Sequence, residues 1–111
     1  MSGSNDIGDV LRRLETTIAS RKGASADSSY TASLLAGGAQ KCAKKFGEEA
    51  VEAALAAVSG DKSHLTAEAA DVLYHLIVML AQQDVSLNDV ADALAAREGR
   101  SGHDEKASRK T

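Results

Sequence analysis

Apolar residues recur at helical spacing along most of this chain, and no stretch shows the strict alternation that is typical of a strand. The first such stretch predicts an amphipathic helix over residues 6–20. Its apolar positions are Ile7, Val10, Leu11, Leu14 and Ile18. Residues 21–28 are small and polar and predict a loop. A short second helix should follow, with Ser28 or Ser29 as its N-cap and Gly37 and Gly38 at its end.

The third predicted helix covers residues 39–59 and is ended by Gly60. One face of it holds small and apolar residues, namely Phe46, Ala50, Ala53, Ala54 and Ala57. The neighbouring stripe is charged and holds Lys41, Lys45, Glu48, Glu49 and Glu52. Gly47 interrupts this helix at a cost of about 1 kcal/mol relative to alanine, which indicates close approach of a neighbour or a ligand.

The fourth predicted helix covers residues 63–83, and its central part, 65–81, is apolar on nearly every side. Such a helix is expected to be buried. Glu68, Asp71 and His75 are exceptions that fall on one stripe, at i, i+3 and i+7. Burying two carboxylates there without partners would destabilise the fold, so this stripe needs an explanation.

The fifth predicted helix begins after Ser86, an N-cap residue with Asp89 at the third helical position, and ends at Gly99. Its inward-facing positions are expected to be Leu87, Val90, Ala91, Leu94 and Ala95. The tail that follows, residues 100–111, is polar, and its composition favours disorder.

Together these patterns predict one all-α domain over residues 1–111, a bundle of about five helices with its core in residues 7–99. A chain of 111 residues buries a modest fraction of its surface, so we expect a homodimer to complete the bundle. The net charge of −3 and the lack of a long basic run do not favour nucleic-acid binding. The lone Cys42 excludes an intramolecular disulfide, and no signal peptide or membrane-spanning run is expected, so a soluble cytoplasmic protein is predicted.

The two acidic clusters lie on consecutive helices joined by a short turn at Gly60. They are Glu48, Glu49 and Glu52 on the third helix and Glu68 and Asp71 on the fourth. A single pair of acids at this spacing is ordinarily a solvated helix face. Two pairs that face each other in a helical hairpin instead predict a site for Mg²⁺, or Mn²⁺, which are bound by carboxylate oxygens and bring phosphate substrates with them.

Such a site supplies phosphate chemistry, in which an uncommitted carboxylate orients or deprotonates the attacking water. Lys41, Lys44 and Lys45 precede the acids and are candidates to hold phosphates, although surface ion pairs with Glu48 or Glu49 explain them equally well. His75 is expected to support a metal ligand or to be a core histidine. No Cys/His spacing predicts zinc, and the two Glu-x-x-His pairs of a di-iron bundle are absent from the sequence.

Several of these segments resemble the phosphoribosyl-ATP pyrophosphohydrolase family, within the all-α nucleoside triphosphate pyrophosphatase (MazG-like) superfamily. The similar segments are residues 29–35, Lys41, residues 44–52, residues 68–76, residues 101–102 and residues 105–109. The resemblance covers about residues 7–109. The acidic motifs mark the superfamily, whereas the block at 29–35 and the tail point to this family.

The resemblance implies Mg²⁺-dependent hydrolysis of phosphoribosyl-ATP to phosphoribosyl-AMP and pyrophosphate, the second step of L-histidine biosynthesis. It also implies a dimer whose active site lies near the subunit interface. By the same resemblance, the metal-binding acids are Glu49, Glu52, Glu68 and Asp71. Glu48 is an additional acid able to position water.

The resemblance also suggests that basic residues of the tail hold the ribosyl phosphate of the substrate, since arginine binds two phosphate oxygens at once. These residues are Arg97, Arg100, Lys106 and Arg109. Ser29, Tyr30 and Thr31 either contact substrate or cap the short helix. Two other functions stay open at this point: a house-cleaning pyrophosphatase for ordinary nucleoside triphosphates, and a non-catalytic helical dimerisation module.

Overall fold

The computed structural model describes residues 3–99, and this range folds entirely into helices and their connections. The helices are α1 (Ile7–Ser20), α2 (Tyr30–Ala36), α3 (Gly38–Ser59), α4 (Lys62–Gln82) and α5 (Leu87–Ala95). The predicted all-α fold of about five helices is confirmed. The fifth helix is shorter than predicted, since it ends at Ala95 and residues 96–99 form turns.

Polar side chains begin the short helices where the sequence predicts them. Ser29 is the N-cap of α2, and its hydroxyl accepts a hydrogen bond from the Ala32 amide at 3.0 Å. Ser86 and Asp89 cap α5 reciprocally, each side chain accepting a 3.0 Å hydrogen bond from the other residue's amide. Because such caps satisfy amides that the helix leaves unpaired, each stabilises its helix by about 1 kcal/mol.

The longest helices, α3 and α4, form an antiparallel hairpin and make the most extensive interface in the described chain. Gly60 ends α3 in the left-handed conformation, with φ +81°, which lets the chain reverse within two residues. Glu49 lies eleven residues before Gly60 and Asp71 lies eleven residues after it. The tight turn therefore places the two acidic clusters side by side, as predicted.

The core lies toward the end of the hairpin that is remote from Gly60. It joins Ile18 of α1, Leu34 of α2, Cys42 of α3 and the pair Ile77 and Val78 of α4, all at most 2% exposed. Each large aliphatic side chain buried here stabilises the fold by about 1.5–3 kcal/mol relative to an exposed one. The first turns of α4 extend beyond this core and rest on α3.

Cys42 is a packing residue. Its thiol donates a 3.2 Å hydrogen bond to the Leu34 carbonyl, and burial raises the pKa of the thiol. A thiol with a raised pKa is a poor nucleophile, so nothing at this position suggests cysteine chemistry.

The expectation that α4 is buried on nearly every side is wrong for the single chain. Only His75, Ile77 and Val78 of this helix are buried, whereas Ala69 and Ala70 are exposed. The reason is that α3 provides most of the packing against α4 in the described chain, whereas α1 and α2 provide far less. By length and composition alone α4 could also cross a membrane, but a core helix of a soluble protein passes the same test.

The predicted inward face of α5 is also partly wrong for the single chain. Leu87 and Val90 are half-buried, but Ala91, Leu94 and Ala95 are exposed. Likewise, Ala54 and Ala57 of α3 are exposed, and the buried alanine of that helix is Ala56. Helical spacing identifies an apolar face but does not say whether the same chain provides a surface to cover it.

Candidate metal and phosphate site

Three carboxylates from the two hairpin helices converge. One oxygen from each of Glu49, Glu68 and Asp71 lies within 4.8 Å of the others. Glu49 is seven residues from both Cys42 and Ala56, the two buried residues of α3, so it lies on the face that packs toward α4. The sequence-based prediction that acids of the two helices meet is therefore confirmed for these three.

The carboxylates of the cluster repel one another. Burial raises the pKa of Glu49, and the charges of Glu52, Asp71 and Glu68 raise it further, against the opposing effect of Lys45. Within the described chain, Oε1 of Glu68 is buried without a hydrogen-bond partner. A buried, unpaired carboxylate oxygen among other carboxylates fits the donor set that a hard divalent cation prefers.

The two remaining acids of α3 lie outside the three-carboxylate group. Glu52 is exposed, yet it is close enough for its charge to raise the pKa of Glu49. Glu48 is turned toward Lys45, whose ammonium lies 3.3 Å from the Glu48 carboxylate. The roles predicted for Glu52 as a metal ligand and for Glu48 as a water-positioning acid stay predictions.

Beside the acids, the first turns of α3 present the three predicted lysines. Lys41, Lys44 and Lys45 line an open cavity of about 620 Å³ together with Gln40 and Glu48. The hydrogen bond that Lys45 donates to Glu48 is the main cause of the raised pKa of Lys45, so the ion-pair explanation holds for that lysine. Three lysines around one open cavity are an arrangement suited to a polyanion.

Two contacts at the site were not expected from the sequence. His64 Nε2 lies 3.3 Å from the second oxygen of Glu68, so His64 is placed to orient that carboxylate. The sequence could have indicated this contact, because His64 and Glu68 are four residues apart and share one helix face. The second contact is a 2.5 Å hydrogen bond between the hydroxyls of Thr31 and Tyr74, which ties α2 to α4.

His75 is a buried residue, 6% exposed, that packs edge-on against Tyr74 with ring centroids 4.9 Å apart. Burial lowers its pKa, the charge of Lys45 lowers it further, and Asp71 opposes both. A neutral imidazole in the core, next to the acids, agrees with the expectation of a core or supporting histidine.

The basic residues predicted from the tail are mostly outside the described residues. Arg97 lies in the turn after α5. Arg100, Lys106 and Arg109 lie beyond residue 99, together with the tail segments that carry part of the family resemblance. Their proposed contact with the substrate stays a prediction.

Comparison with known proteins shows which family this chain is similar to. The family model described as phosphoribosyl-ATP pyrophosphohydrolase matches residues 11–98. A phosphoribosyl-ATP pyrophosphatase from Paracoccus denitrificans is 62% identical over 110 residues, 99% of this chain and 100% of that protein. Another from Dinoroseobacter shibae is 67% identical over 100 residues, 90% of this chain and 98% of that protein.

Proposed function

This chain belongs to the phosphoribosyl-ATP pyrophosphohydrolase family, and from that premise we infer that it hydrolyses phosphoribosyl-ATP to phosphoribosyl-AMP and pyrophosphate. It is an enzyme of histidine biosynthesis that cleaves a phosphoric anhydride. The observation that carries the assignment is the match over residues 11–98, a range that contains the carboxylate cluster of Glu49, Glu68 and Asp71.

We propose that the reaction requires Mg²⁺, or Mn²⁺ in its place, held by Glu49, Glu68 and Asp71, with the exposed side chain of Glu52 as the fourth ligand. The close carboxylate oxygens and the unpartnered Oε1 of Glu68 support this proposal. A bound divalent ion supplies charge neutralisation at the phosphate oxygens and a water of lowered pKa. His64 keeps one oxygen of Glu68 in place through its 3.3 Å contact.

Other side chains of this protein would activate the water and bind the phosphates. Glu48 is placed at the rim, where it accepts a proton from the attacking water or orients it once Lys45 turns to the substrate. Lys41 and Lys44 line the open cavity beside the acids, where they hold the terminal phosphates and stabilise charge on the departing pyrophosphate.

The decisive experiment measures pyrophosphate release from phosphoribosyl-ATP, with Mg²⁺ and with a chelator, beside a panel of ordinary nucleoside triphosphates. Asp71→Asn is the site variant because Asp71 is exposed and its replacement leaves the core intact. Asp92→Asn, on the exposed surface of α5, is the matched control. We expect Asp71→Asn to lower kcat/KM by at least about a hundredfold, since even residues that only support metal ligands typically contribute about 10–100-fold.

The outcomes separate the competing functions. Release from ordinary triphosphates instead of phosphoribosyl-ATP would assign the house-cleaning activity to the same site. Release that survives the chelator and the Asp71→Asn change would refute the metal proposal. If no pyrophosphate were released from any substrate, a non-catalytic helical dimerisation module would be the remaining function.

We also propose that the enzyme is a homodimer formed through the outer face of α3. Val51, Leu55 and Val58 are 60%, 64% and 86% exposed and recur at i, i+4 and i+7, which makes one apolar stripe. Gly47 continues this stripe, and a Cβ added to it would meet, apart from the backbone of its own helix and its chain neighbours, no atom of residues 3–99 within 4 Å. An uncovered apolar stripe with a glycine suits close approach of a second helix.

This stripe is adjacent to the acids, because Val51 lies between Glu49 and Glu52 in the chain. A second subunit packed there would border the metal site and exclude water from it. Sedimentation equilibrium of the wild-type chain at micromolar concentration tests the dimer, and a monomer would refute it.

We also propose a cytoplasmic location, since a multiply charged nucleotide does not cross a bilayer unaided.

A further inference from the structure

Tyr30 is an exposed aromatic residue beside the candidate site, at the first position of α2. It is 55% exposed, and its ring stacks on that of Tyr74 with centroids 6.5 Å apart and planes 19° from parallel. Its edge also meets His75, at 6.2 Å and 86°. The chain contains three aromatic residues of the Phe, Trp and Tyr class, and the other two, Phe46 and Tyr74, are half-buried.

Hydrogen bonds made by both flanking residues anchor the backbone at Tyr30. Ser29 caps the helix at the preceding residue, and Thr31 bonds the Tyr74 hydroxyl at the following one. Tyr74 in turn packs on the buried His75 at 4.9 Å. Ser29 and Thr31 therefore have structural roles, whereas the exposed ring of Tyr30 is accessible to a ligand. A ring on an anchored backbone loses less conformational entropy on binding than a ring on a flexible segment.

Tyr30 also lies beside the stripe of α4 that carries the acids. Its ring centroid is 6.2 Å from that of His75, and His75 follows Asp71 by one helical turn. His75, which Tyr30 touches, responds to the charges of both Lys45 and Asp71. The ring therefore borders the region where a nucleotide would place its phosphates between the lysines and the acids.

We propose that the exposed Tyr30 ring is the contact for the purine base of the substrate, and that it determines specificity for a nucleotide rather than taking part in bond cleavage. This inference rests on the proposed function, which supplies an adenine base attached to the phosphates. Every base has a π face, and stacking on an aromatic side chain contributes substantially to the binding of each base. Among the phenylalanine and tyrosine residues of this chain, Tyr30 is the one whose ring is exposed.

The test uses the full-length protein with Tyr30→Leu, which keeps an apolar side chain without a π face, and Tyr30→Phe, which keeps the ring. Three quantities are measured: the steady-state constants for phosphoribosyl-ATP, the inhibition constant of AMP and the inhibition constant of pyrophosphate. For Tyr30→Leu we expect KM and the AMP constant to rise on the order of tenfold, with kcat within about twofold and the pyrophosphate constant unchanged. Tyr30→Phe should resemble the wild type.

Two results would overturn the proposal. In the first, KM and the AMP constant are unchanged in Tyr30→Leu, which would make Tyr30 a surface residue. In the second, kcat of Tyr30→Leu falls and the inhibition constants of pyrophosphate and AMP both rise, or the variant sediments as a monomer. Either finding would make Tyr30 a structural support. Should Tyr30→Leu not fold, Tyr30→Trp replaces it, and an AMP constant above that of the wild type would contradict stacking.

This design separates the inference from the proposed function. Failure of the proposed function appears in the wild type, as absence of pyrophosphate release from phosphoribosyl-ATP. Failure of the Tyr30 inference appears only in the variants of an active enzyme.

Discussion

Glu48 and Glu49 are adjacent in the chain but occupy different electrostatic environments. Successive residues on a helix are about 100° apart, so Glu49 faces α4 while Glu48 pairs with Lys45 at the rim. The raised pKa of Glu49 follows from burial and from three neighbouring carboxylates. A site that holds acids in this way is electrostatically strained until a cation enters.

The first prediction concerns this strain. Because the folded pKa of Glu49 lies above its ordinary value of 4.5, its protonated form stabilises the folded state at low pH, and that stabilisation is lost as pH rises through the raised pKa. In chelator, Glu49→Gln should therefore have a higher Tm than the wild type at pH 7, and the difference should vanish toward pH 4. Differential scanning fluorimetry across this pH range measures it.

Added Mg²⁺ provides the control for this prediction. It should raise the Tm of the wild type and have a much smaller effect on Glu49→Gln, because binding to the folded state alone stabilises it. A variant that is less stable than the wild type at pH 7 in chelator would contradict the account of Glu49.

At the scale of single elements, the hairpin of α3 and α4 depends on how α3 ends. The left-handed conformation of Gly60 reverses the chain within two residues, and the equal distances of Glu49 and Asp71 from this turn bring the acids together. A residue with a Cβ is strained in this conformation by roughly 1–2 kcal/mol.

The second prediction follows from that strain. Gly60→Ala should lower the free energy of unfolding by about 1–2 kcal/mol, whereas Gly60→Asn should cost less, because asparagine tolerates the left-handed region better. Urea denaturation followed by circular dichroism compares the three proteins. Equal stability of the alanine variant and the wild type would show that the turn relaxes without cost.

At the scale of the whole molecule, apolar surface is left uncovered on more than one element. The α3 stripe of Val51, Leu55 and Val58 is largely exposed, and so is Leu94 of α5. A chain of this size cannot cover its hairpin from every side with two short helices and α1. The proposed homodimer would cover the exposed apolar surface of α3, and it would place the second subunit at the edge of the acid cluster.

The third prediction tests the dimer at this scale. Leu55→Gln combined with Val58→Gln should convert the enzyme to a monomer at micromolar concentration and remove the dependence of Tm on protein concentration. Ile7→Gln is the matched control, since Ile7 is 63% exposed but lies at the start of α1. Sedimentation velocity and thermal melts at several concentrations measure both effects. A double variant that remains dimeric would place the interface elsewhere.

The sequence by itself determined the local features: five helices, the caps at Ser29 and Ser86, and the meeting of Glu49, Glu68 and Asp71 across a short turn. These depend on spacing and on hydrogen bonds between residues a few positions apart, which the order of residues specifies. Only the tertiary structure decided the rest. It exposed much of α4 and α5, joined Thr31 of α2 to Tyr74 of α4, and left the ring of Tyr30 exposed. These outcomes depend on which surfaces of distant elements are available to cover one another, and helical periodicity carries no information about that.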